Sequence, residues 1–167
     1  MIAFHTFTGV LALLSGLGVI FLEKGSWRHR WVGRIYGIAM LLLCLTSFFI
    51  YRLFGRFGPF HVTAIVSGIS VAGGMIPVWL RHRFPKWLQY HYRFMLFSYV
   101  GLLMATGSHF FGGAINALAS WGWSRGASVV LCALLFWVVP YIIGTVLINR
   151  HWPAFRERFG HPQSANK

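Results

Sequence analysis

The sequence has very little negative charge. Its 167 residues include only 2 Asp and Glu against 15 Lys and Arg, and charged residues make up 10% of the chain. Because a soluble domain carries about 25% charged residues, this chain cannot cover a water-facing surface. Two acids also exclude paired-carboxylate hydrolysis and carboxylate-bound Mg or Ca sites. No GxSxG, Walker or HExxH motif is present, and the sequence leaves open whether the protein is an enzyme.

Cysteine is scarce as well. Cys44 and Cys132 stand alone with no CxxC spacing, which predicts buried apolar residues and no disulfide or metal role. The net charge of +13 would suit nucleic acid, but the basic residues form short clusters between apolar runs and do not line one polar face. We therefore expect no nucleic-acid partner.

Apolar residues are abundant, at 57% of the chain with a mean hydropathy of +0.64. A membrane-spanning helix needs about 20 apolar residues. Five stretches reach this length, which predicts an all-α polytopic membrane bundle of five transmembrane helices, a four-helix core plus one. They are 2–22, 31–54, 59–80, 92–111 and 128–149.

The chain is expected to divide into three parts. Residues 1–115 form a four-helix membrane core that carries most histidines, and 116–149 form an interfacial loop and the fifth helix. Residues 150–167 form a polar cytoplasmic tail that ends in disorder. Small residues at helical spacing, such as Gly9, Ala12 and Gly16, allow close helix packing or leave room for a flat cofactor. Pro140 predicts a kink in the fifth helix.

Basic residues alternate between the two sides of the predicted topology. One side carries twelve Lys and Arg residues, including the Lys24–Arg34 and Arg81–Arg93 clusters, and the other side carries three. The positive-inside rule then places the amino terminus outside and the carboxyl terminus in the cytoplasm. We expect a multi-pass protein of the cytoplasmic (inner) membrane whose cytoplasmic face attracts anionic lipid headgroups.

Histidine is the remaining residue type with site chemistry, and five of the eight fall into two layers. His29 and His91 begin the second and fourth spans on the inner side. His5, His61 and His109 lie near the outer ends of the first, third and fourth spans. His91 and His109 are 18 residues apart, so they share a helix face about 27 Å long. Imidazole is costly in a bilayer unless it has a partner or a function.

Two histidine sites follow from these layers. An inner pair of His29 and His91 and an outer pair of His5 and His61 would each suit haem b. Alternatively, His5, His61 and His109 would suit Zn or Cu, since three imidazoles leave one position open. The remaining alternative is that no cofactor binds and the histidines are hydrogen-bonding anchors at helix ends. Tyr36, Met95 and Ser98 are candidates for orienting the ligands.

The arrangement of one histidine on each of alternate helices, at two depths, resembles the transmembrane diheme b-type cytochromes of the ascorbate-reducible kind. That resemblance implies two bis-histidine haems and electron transfer across the membrane, with a quinone as a candidate partner. The departure lies in depth, because His29 precedes its span and His5 and His61 lie within about a turn of the outer end.

Two short motifs resemble a bacterial membrane-protein family catalogued as domain of unknown function 2306. RHRWVGRIYG, with His29, Gly33 and Tyr36, is similar to its HRxxGxxY signature. HYRFMLFSYVGLLMATG, with His91, Met95 and Ser98, is similar to its HxxxMxxS motif. His5 with Gly9 and Gly16 resembles its first helix, so the match covers about 1–115. This resemblance implies a multi-span helical protein with recurring histidines and no particular reaction.

Three functions are compatible with these observations. The leading hypothesis is a redox-active membrane protein that binds haem or a transition metal through histidine. The second is a non-catalytic accessory subunit of a larger membrane complex. The third is a small transporter with histidine-gated metal or proton movement, which the lack of intramembrane acids disfavours.

Overall fold

The computed structural model describes residues 1–51 and 55–160, and over these residues the fold is all-helical, without strands. The prediction of an all-α fold is confirmed. The helices are α1 (Ile2–Phe21), α2 (Trp27–Ser47), α3 (Pro59–Trp79), α4 (Trp87–Ser108), α5 (Phe111–Ser120), α6 (Arg125–Ala133) and α7 (Val139–Phe159). A π-helical turn, Leu134–Val138, joins α6 to α7.

Helices α1 to α4 form an antiparallel bundle. Each packs on its neighbours in the chain, and a lighter contact between α1 and α4 closes the ring. Helices α2 and α4 therefore lie diagonally opposite each other and run in the same direction. Ala12, Tyr36, Met40 and Val71, each no more than 2% exposed, form the centre of this bundle.

The connection between α1 and α2 is fixed by polar caps. The Lys24 ammonium donates to the carbonyl oxygens of Val19 and Ile20, at 2.8 and 2.6 Å, and so satisfies the last turn of α1. Gly25 turns the chain with a φ of 79°, a conformation that favours glycine. The Ser26 hydroxyl then accepts from the backbone N–H of His29 at 3.2 Å and caps α2.

Close approach of glycine to large side chains holds the bundle together. A Cβ on Gly16 would lie 2.6 Å from the Tyr99 ring and 2.8 Å from the Tyr36 ring. Gly74 on α3 similarly receives the Met95 side chain from α4. The predicted packing role of small residues is confirmed at Gly16, whereas a Cβ on Gly68 would meet no atom within 4 Å.

The carboxyl-terminal helix is longer than the predicted fifth span. α6, the π-helical turn and α7 form one helix of 35 residues, Arg125–Phe159, which continues ten residues past the predicted end at Asn149. Trp152 and Phe155 extend it because their rings pack on Tyr92, with centroids 5.2 and 4.5 Å away. The predicted disordered end of the tail lies outside the described residues.

Pro140 is the second residue of α7 and follows the π-helical turn after one residue, Val139. Because proline has no N–H, the normal hydrogen bond to the carbonyl four residues earlier cannot form, and the wider turn absorbs this defect. The connection predicted at 112–127 is also more regular than expected, since α5 occupies most of it.

Among the described residues, three helices are long and apolar enough to cross a membrane: α1, α3 and the long helix Arg125–Phe159. Helices α4 and α5, bent by 48° at a short break, count as a fourth if they form one span. α2 is not among these helices, because its first two turns carry Arg28, Arg30 and Arg34. It also ends at Ser47, and the predicted end at Phe54 lies outside the described residues.

We predict that Gly16→Ala destabilises the bundle. The new methyl group would overlap two aromatic rings that are fixed by neighbouring helices, and overpacking of this kind costs about 1–3 kcal/mol. The matched control is Gly68→Ala, which places a methyl group in open space on another helix. Thermal unfolding in detergent should show a lower Tm for Gly16→Ala and no loss for Gly68→Ala. Equal Tm values would contradict the packing role of Gly16.

Candidate histidine sites at the two ends of the bundle

His29 and His91 meet at the end of the bundle where α2 and α4 begin, which we call the pair end. Their ring centroids are 6.3 Å apart and the ring planes are nearly perpendicular, at 81°. The predicted topology and the helical faces together led to this pairing, and in the structure the two residues lie together across the bundle. The side chain of each residue is partly buried.

The backbone of α3 fixes the proton on His91. Its Nδ1 lies 2.9 Å from the carbonyl oxygen of Gly74, which accepts hydrogen bonds only, so Nδ1 carries the proton and donates. The lone pair of the neutral ring is then on Nε2. This is the arrangement of a metal-ligating histidine, in which the second nitrogen donates to a carbonyl group and holds the ring in place.

His29 has an unused nitrogen. Its Nδ1 is buried and has no hydrogen-bond partner among the described residues. A buried polar atom without a partner costs about 1–3 kcal/mol. One turn further along α2, a Cβ on Gly33 would meet no atom within 4 Å, so no side chain packs closely on Gly33.

Lys24 interacts electrostatically with both imidazoles of the pair. The same lysine caps α1 through the two hydrogen bonds described above. Burial lowers the pKa of Lys24 because its charged form loses hydration. The pair end therefore combines two imidazoles with a partly desolvated positive charge.

Tyr36, Met95 and Ser98 lie deeper in the bundle. The Tyr36 hydroxyl is 2.7 Å from the Ser98 hydroxyl, and both side chains are at most 2% exposed. Ser98 donates to the carbonyl oxygen of Met95 at 2.7 Å, so Tyr36 is the donor to Ser98. Met95 fills the space beside Gly74. The Tyr36–Ser98 hydrogen bond thus joins α2 to α4, and the contact of Met95 with Gly74 joins α4 to α3.

The opposite end, which we call the cavity end, contains a cavity of about 300 Å³ between α1, α2, α3 and α4. His5, His61 and His109 all line it. Its walls are mainly apolar, and Arg56 and Tyr51 stand at exposed positions of the lining. The structure thus places the three predicted outer histidines around one space.

His61 is the most buried of these histidines, with 4% of its surface exposed. Its Nδ1 accepts from the backbone N–H of Gly58, the N-cap residue of α3, at 3.1 Å. Aromatic rings stack on it from Tyr51 and Phe57, with centroids 5.0 and 4.9 Å away. Because Nδ1 accepts, the proton lies on Nε2, which is buried and has no partner among the described residues.

His5 has the opposite tautomer. Its Nδ1 lies 2.9 Å from the Thr46 hydroxyl oxygen, and that oxygen is also 2.9 Å from the carbonyl oxygens of Leu42 and Leu43. The single hydroxyl proton of Thr46 is directed to the backbone, so the His5 Nδ1–H donates to Thr46. The Nε2 of His5 is therefore an acceptor.

A three-histidine metal site is not formed. In the ranges 1–51 and 55–160, no group of three or more His, Cys, Asp or Glu side chains is close enough to hold a metal ion. His109 is the exposed C-cap of α4, at the edge of the cavity. Of the other histidines, His82 is exposed, His151 bonds to the carbonyl oxygen of Leu147, and His161 lies outside the described residues.

Sequence reasoning missed the groups that orient the histidines. Gly74 and Gly58 act through backbone atoms, which no side-chain motif records. Thr46 was recognisable in principle, because threonine in an apolar helix often supplies a hydroxyl to a neighbouring helix. Lys24 was counted only as a topology signal.

Comparison with known proteins adds no identity to these sites. No family profile, no curated protein and no solved structure matches the chain. The resemblance of the two histidine motifs to the family of unknown function stays a prediction.

We predict that removing the Tyr36–Ser98 hydrogen bond lowers the free energy of unfolding by different amounts, depending on which partner is replaced. Tyr36→Phe leaves Ser98 bonded to Met95 and should cost about 0.5–1.5 kcal/mol. Ser98→Ala leaves the buried Tyr36 hydroxyl without a partner and should cost more, about 1–3 kcal/mol. Reversible unfolding in mixed micelles would measure both values and the double variant. A larger loss for Tyr36→Phe would contradict the assigned donor and acceptor.

Proposed function

We propose that this chain is a multi-pass protein of the cytoplasmic membrane that binds one haem b between His29 and His91 and transfers electrons. The observation that carries the proposal is the meeting of two imidazoles from diagonal helices, 6.3 Å apart, with the His91 ring held by a backbone carbonyl group. If a haem bound here, His29 and His91 would be the residues that hold its iron.

The number of donors favours haem over a bare metal ion. Zn in proteins takes three or four protein ligands, whereas a haem iron with two axial histidines needs only two. The His29–His91 pair has no third His, Cys, Asp or Glu within metal-binding reach among the described residues. When bound, haem supplies one-electron chemistry, and the protein supplies binding, orientation and electrostatics.

Charge supports the same choice. The Lys24 ammonium interacts with both imidazoles and would repel a bare divalent cation. A haem instead carries propionate groups that a lysine attracts. Arg28 and Arg30, next to His29 in the sequence, add positive charge at this end of the bundle. We propose that these cations bind the propionates.

The protein residues around the pair have separate roles in this proposal. Gly74 keeps the proton on Nδ1 of His91, so that Nε2 stays available as a ligand. Tyr36, Ser98 and Met95 fix the rotation of α4 about its axis and thereby the direction of His91.

We do not extend the haem proposal to His5 and His61. His61 accepts a backbone hydrogen bond on Nδ1, so Nε2 carries the proton and has no lone pair for iron. A ligand role for His61 would require the capping bond of α3 to break.

We propose further that α2 crosses the membrane as well, which makes five crossings with the amino terminus outside. Support comes from packing and charge: α2 lies within the ring formed by α1, α3 and α4, and twelve of fifteen basic residues fall on one side of this topology. The pair end would then face the cytoplasm.

The haem proposal is tested by the optical spectrum of protein produced with haem available, oxidised and then reduced with dithionite. We expect a Soret band and sharp reduced α bands from one haem per chain. His91→Ala and His29→Ala should each remove these bands, because each deletes an axial ligand. His151→Ala, an exposed histidine that bonds within its own helix, is the control. A featureless wild-type spectrum, or bands unaffected by His91→Ala, would overturn the assignment.

The topology is tested by cysteine labelling in a Cys44→Ala, Cys132→Ala background. Ser120→Cys and Glu157→Cys place single exposed thiols at the ends of α5 and α7. In spheroplasts, whose cytoplasmic membrane is intact, a membrane-impermeant maleimide should label Ser120→Cys. It should label Glu157→Cys only after that membrane is permeabilised. The reverse pattern would mean that the protein is inserted the other way round, and labelling of both sites from outside would show that the helix Arg125–Phe159 does not cross the membrane.

A second candidate function is that of an accessory subunit. The long helix Arg125–Phe159 is favoured as a subunit contact because only 6% of its most apolar window is buried, compared with 22% for α1 and α3. Extraction in a mild detergent distinguishes the two functions. A monodisperse haem protein supports independent action, whereas stoichiometric co-purification with another membrane protein supports the subunit role.

A further inference from the structure

Arg93, in the second turn of α4, differs from every other arginine in the ranges 1–51 and 55–160. It is partly buried, whereas the others are exposed. Its guanidinium group makes no hydrogen bond and no ion pair with any described residue. The Nε atom is shielded from solvent, while the two Nη atoms reach the surface. Because a partly desolvated charge without a partner is costly, Arg93 is a candidate for binding an anion from outside the chain.

The chain supplies no anion of its own to Arg93. Its two acids, Glu23 and Glu157, are exposed, and neither forms an ion pair within the described ranges. Lys24, the other partly buried cation among the described residues, donates to the last carbonyl groups of α1 and so has partners. Arg93 is therefore the cation whose donors are left over.

Arg93 lies on the side of α4 that packs against α7. Val100 follows it by seven residues, which is about two helical turns, and so shares its side of the helix. The Val100 side chain lies against Gly144 of α7. Tyr92, the neighbour of Arg93, donates to the carbonyl oxygen of Ile148 at 3.2 Å and interacts electrostatically with Arg93. The guanidinium group is thus placed at the seam between α4 and α7.

Aromatic surface lies along this seam on both sides of Arg93. Toward the middle of the bundle, Phe97 is one turn further along α4, and its ring centroid is 6.4 Å from that of Tyr141 on α7. Tyr141 is 52% exposed. Toward the pair end, Trp152 packs on Tyr92, and tryptophan is typical of the membrane–water interface. The seam therefore combines a cation near the interface with exposed apolar surface at greater depth.

We propose that this seam binds one anionic phospholipid, with its phosphate group on Arg93 and an acyl chain along Phe97 and Tyr141. The two Nη groups of a planar guanidinium donate parallel hydrogen bonds to phosphate oxygens. The aromatic surface one turn deeper favours a lipid over a free phosphate ion. This site goes beyond the general attraction of basic loops for anionic headgroups, because it has a fixed stoichiometry and depends on one residue.

The lipid site is independent of the haem proposal. Arg93 is two residues from His91, so the two side chains are about 200° apart around α4. His91 lies against Gly74 of α3, whereas Arg93 lies at α7. Lipid binding can therefore be measured in haem-free His91→Ala protein. Loss of haem with intact lipid binding would contradict only the earlier proposal, and loss of lipid binding with an intact haem spectrum would contradict only this one.

The experiment measures lipid binding to the purified full-length protein by native mass spectrometry. The probe is dioleoyl phosphatidylglycerol, and dioleoyl phosphatidylcholine, which carries its own cation, is the reference. We expect one tightly bound phosphatidylglycerol per chain and weaker binding of phosphatidylcholine. Arg93→Gln should weaken phosphatidylglycerol binding about tenfold or more, since charge-assisted hydrogen bonds are lost. Arg83→Gln makes the same charge change at an exposed arginine of the same end and should bind as wild type does.

Arg93→Lys keeps the test valid if Arg93→Gln does not fold. It preserves the charge but not the paired hydrogen bonds, and should bind more weakly than wild type. Wild-type affinity in the Arg93 variants, equal losses in Arg93→Gln and Arg83→Gln, or equal binding of the two lipids would overturn the proposal. Displacement of the lipid by inorganic phosphate would instead assign the seam to free phosphate. A co-purifying membrane protein lost only in Arg93→Gln would assign Arg93 to an acid on a partner helix.

Discussion

Backbone hydrogen bonds determine which ring nitrogen of His91 and which ring nitrogen of His61 carries the proton. The chemistry of both ends of the bundle depends on this protonation. At the pair end the Gly74 carbonyl group holds the proton on Nδ1 of His91 and leaves a lone pair on Nε2. At the cavity end the Gly58 N–H holds a lone pair on Nδ1 of His61 and leaves a proton on Nε2. Neutral imidazole has one donor and one acceptor, so a bond at one nitrogen decides the role of the other.

This difference distinguishes residues that look equivalent in the sequence. A metal ligand needs a free lone pair, which His91 keeps on Nε2 and which His61 uses to accept from Gly58. The two ends of the bundle are therefore not two equivalent haem sites.

Helical periodicity was sufficient to predict much of this arrangement. The placement of His29 and His91 at one end and of His5, His61 and His109 at the other follows from the predicted spans and from faces repeated every 3.6 residues. Whether the histidines of one end meet depends on helix rotation, which the sequence does not give. The tautomers could not be predicted, because they depend on backbone atoms of other helices. The extension of the last helix to Phe159 was also missed, since it depends on aromatic packing against Tyr92 and polar residues dominate its local composition.

The middle of the bundle determines how the two ends relate. Ala12, Tyr36, Met40 and Val71 are at most 2% exposed and separate the histidine pair from the cavity. Met40 lines the floor of the cavity, while Tyr36 bonds to Ser98 on the side of His91. A pathway for ions through the bundle would have to open this packed layer, which contains no charged side chain, and burying an unpaired charge there would be costly. The packing therefore disfavours the continuous polar path that a histidine-gated transporter requires.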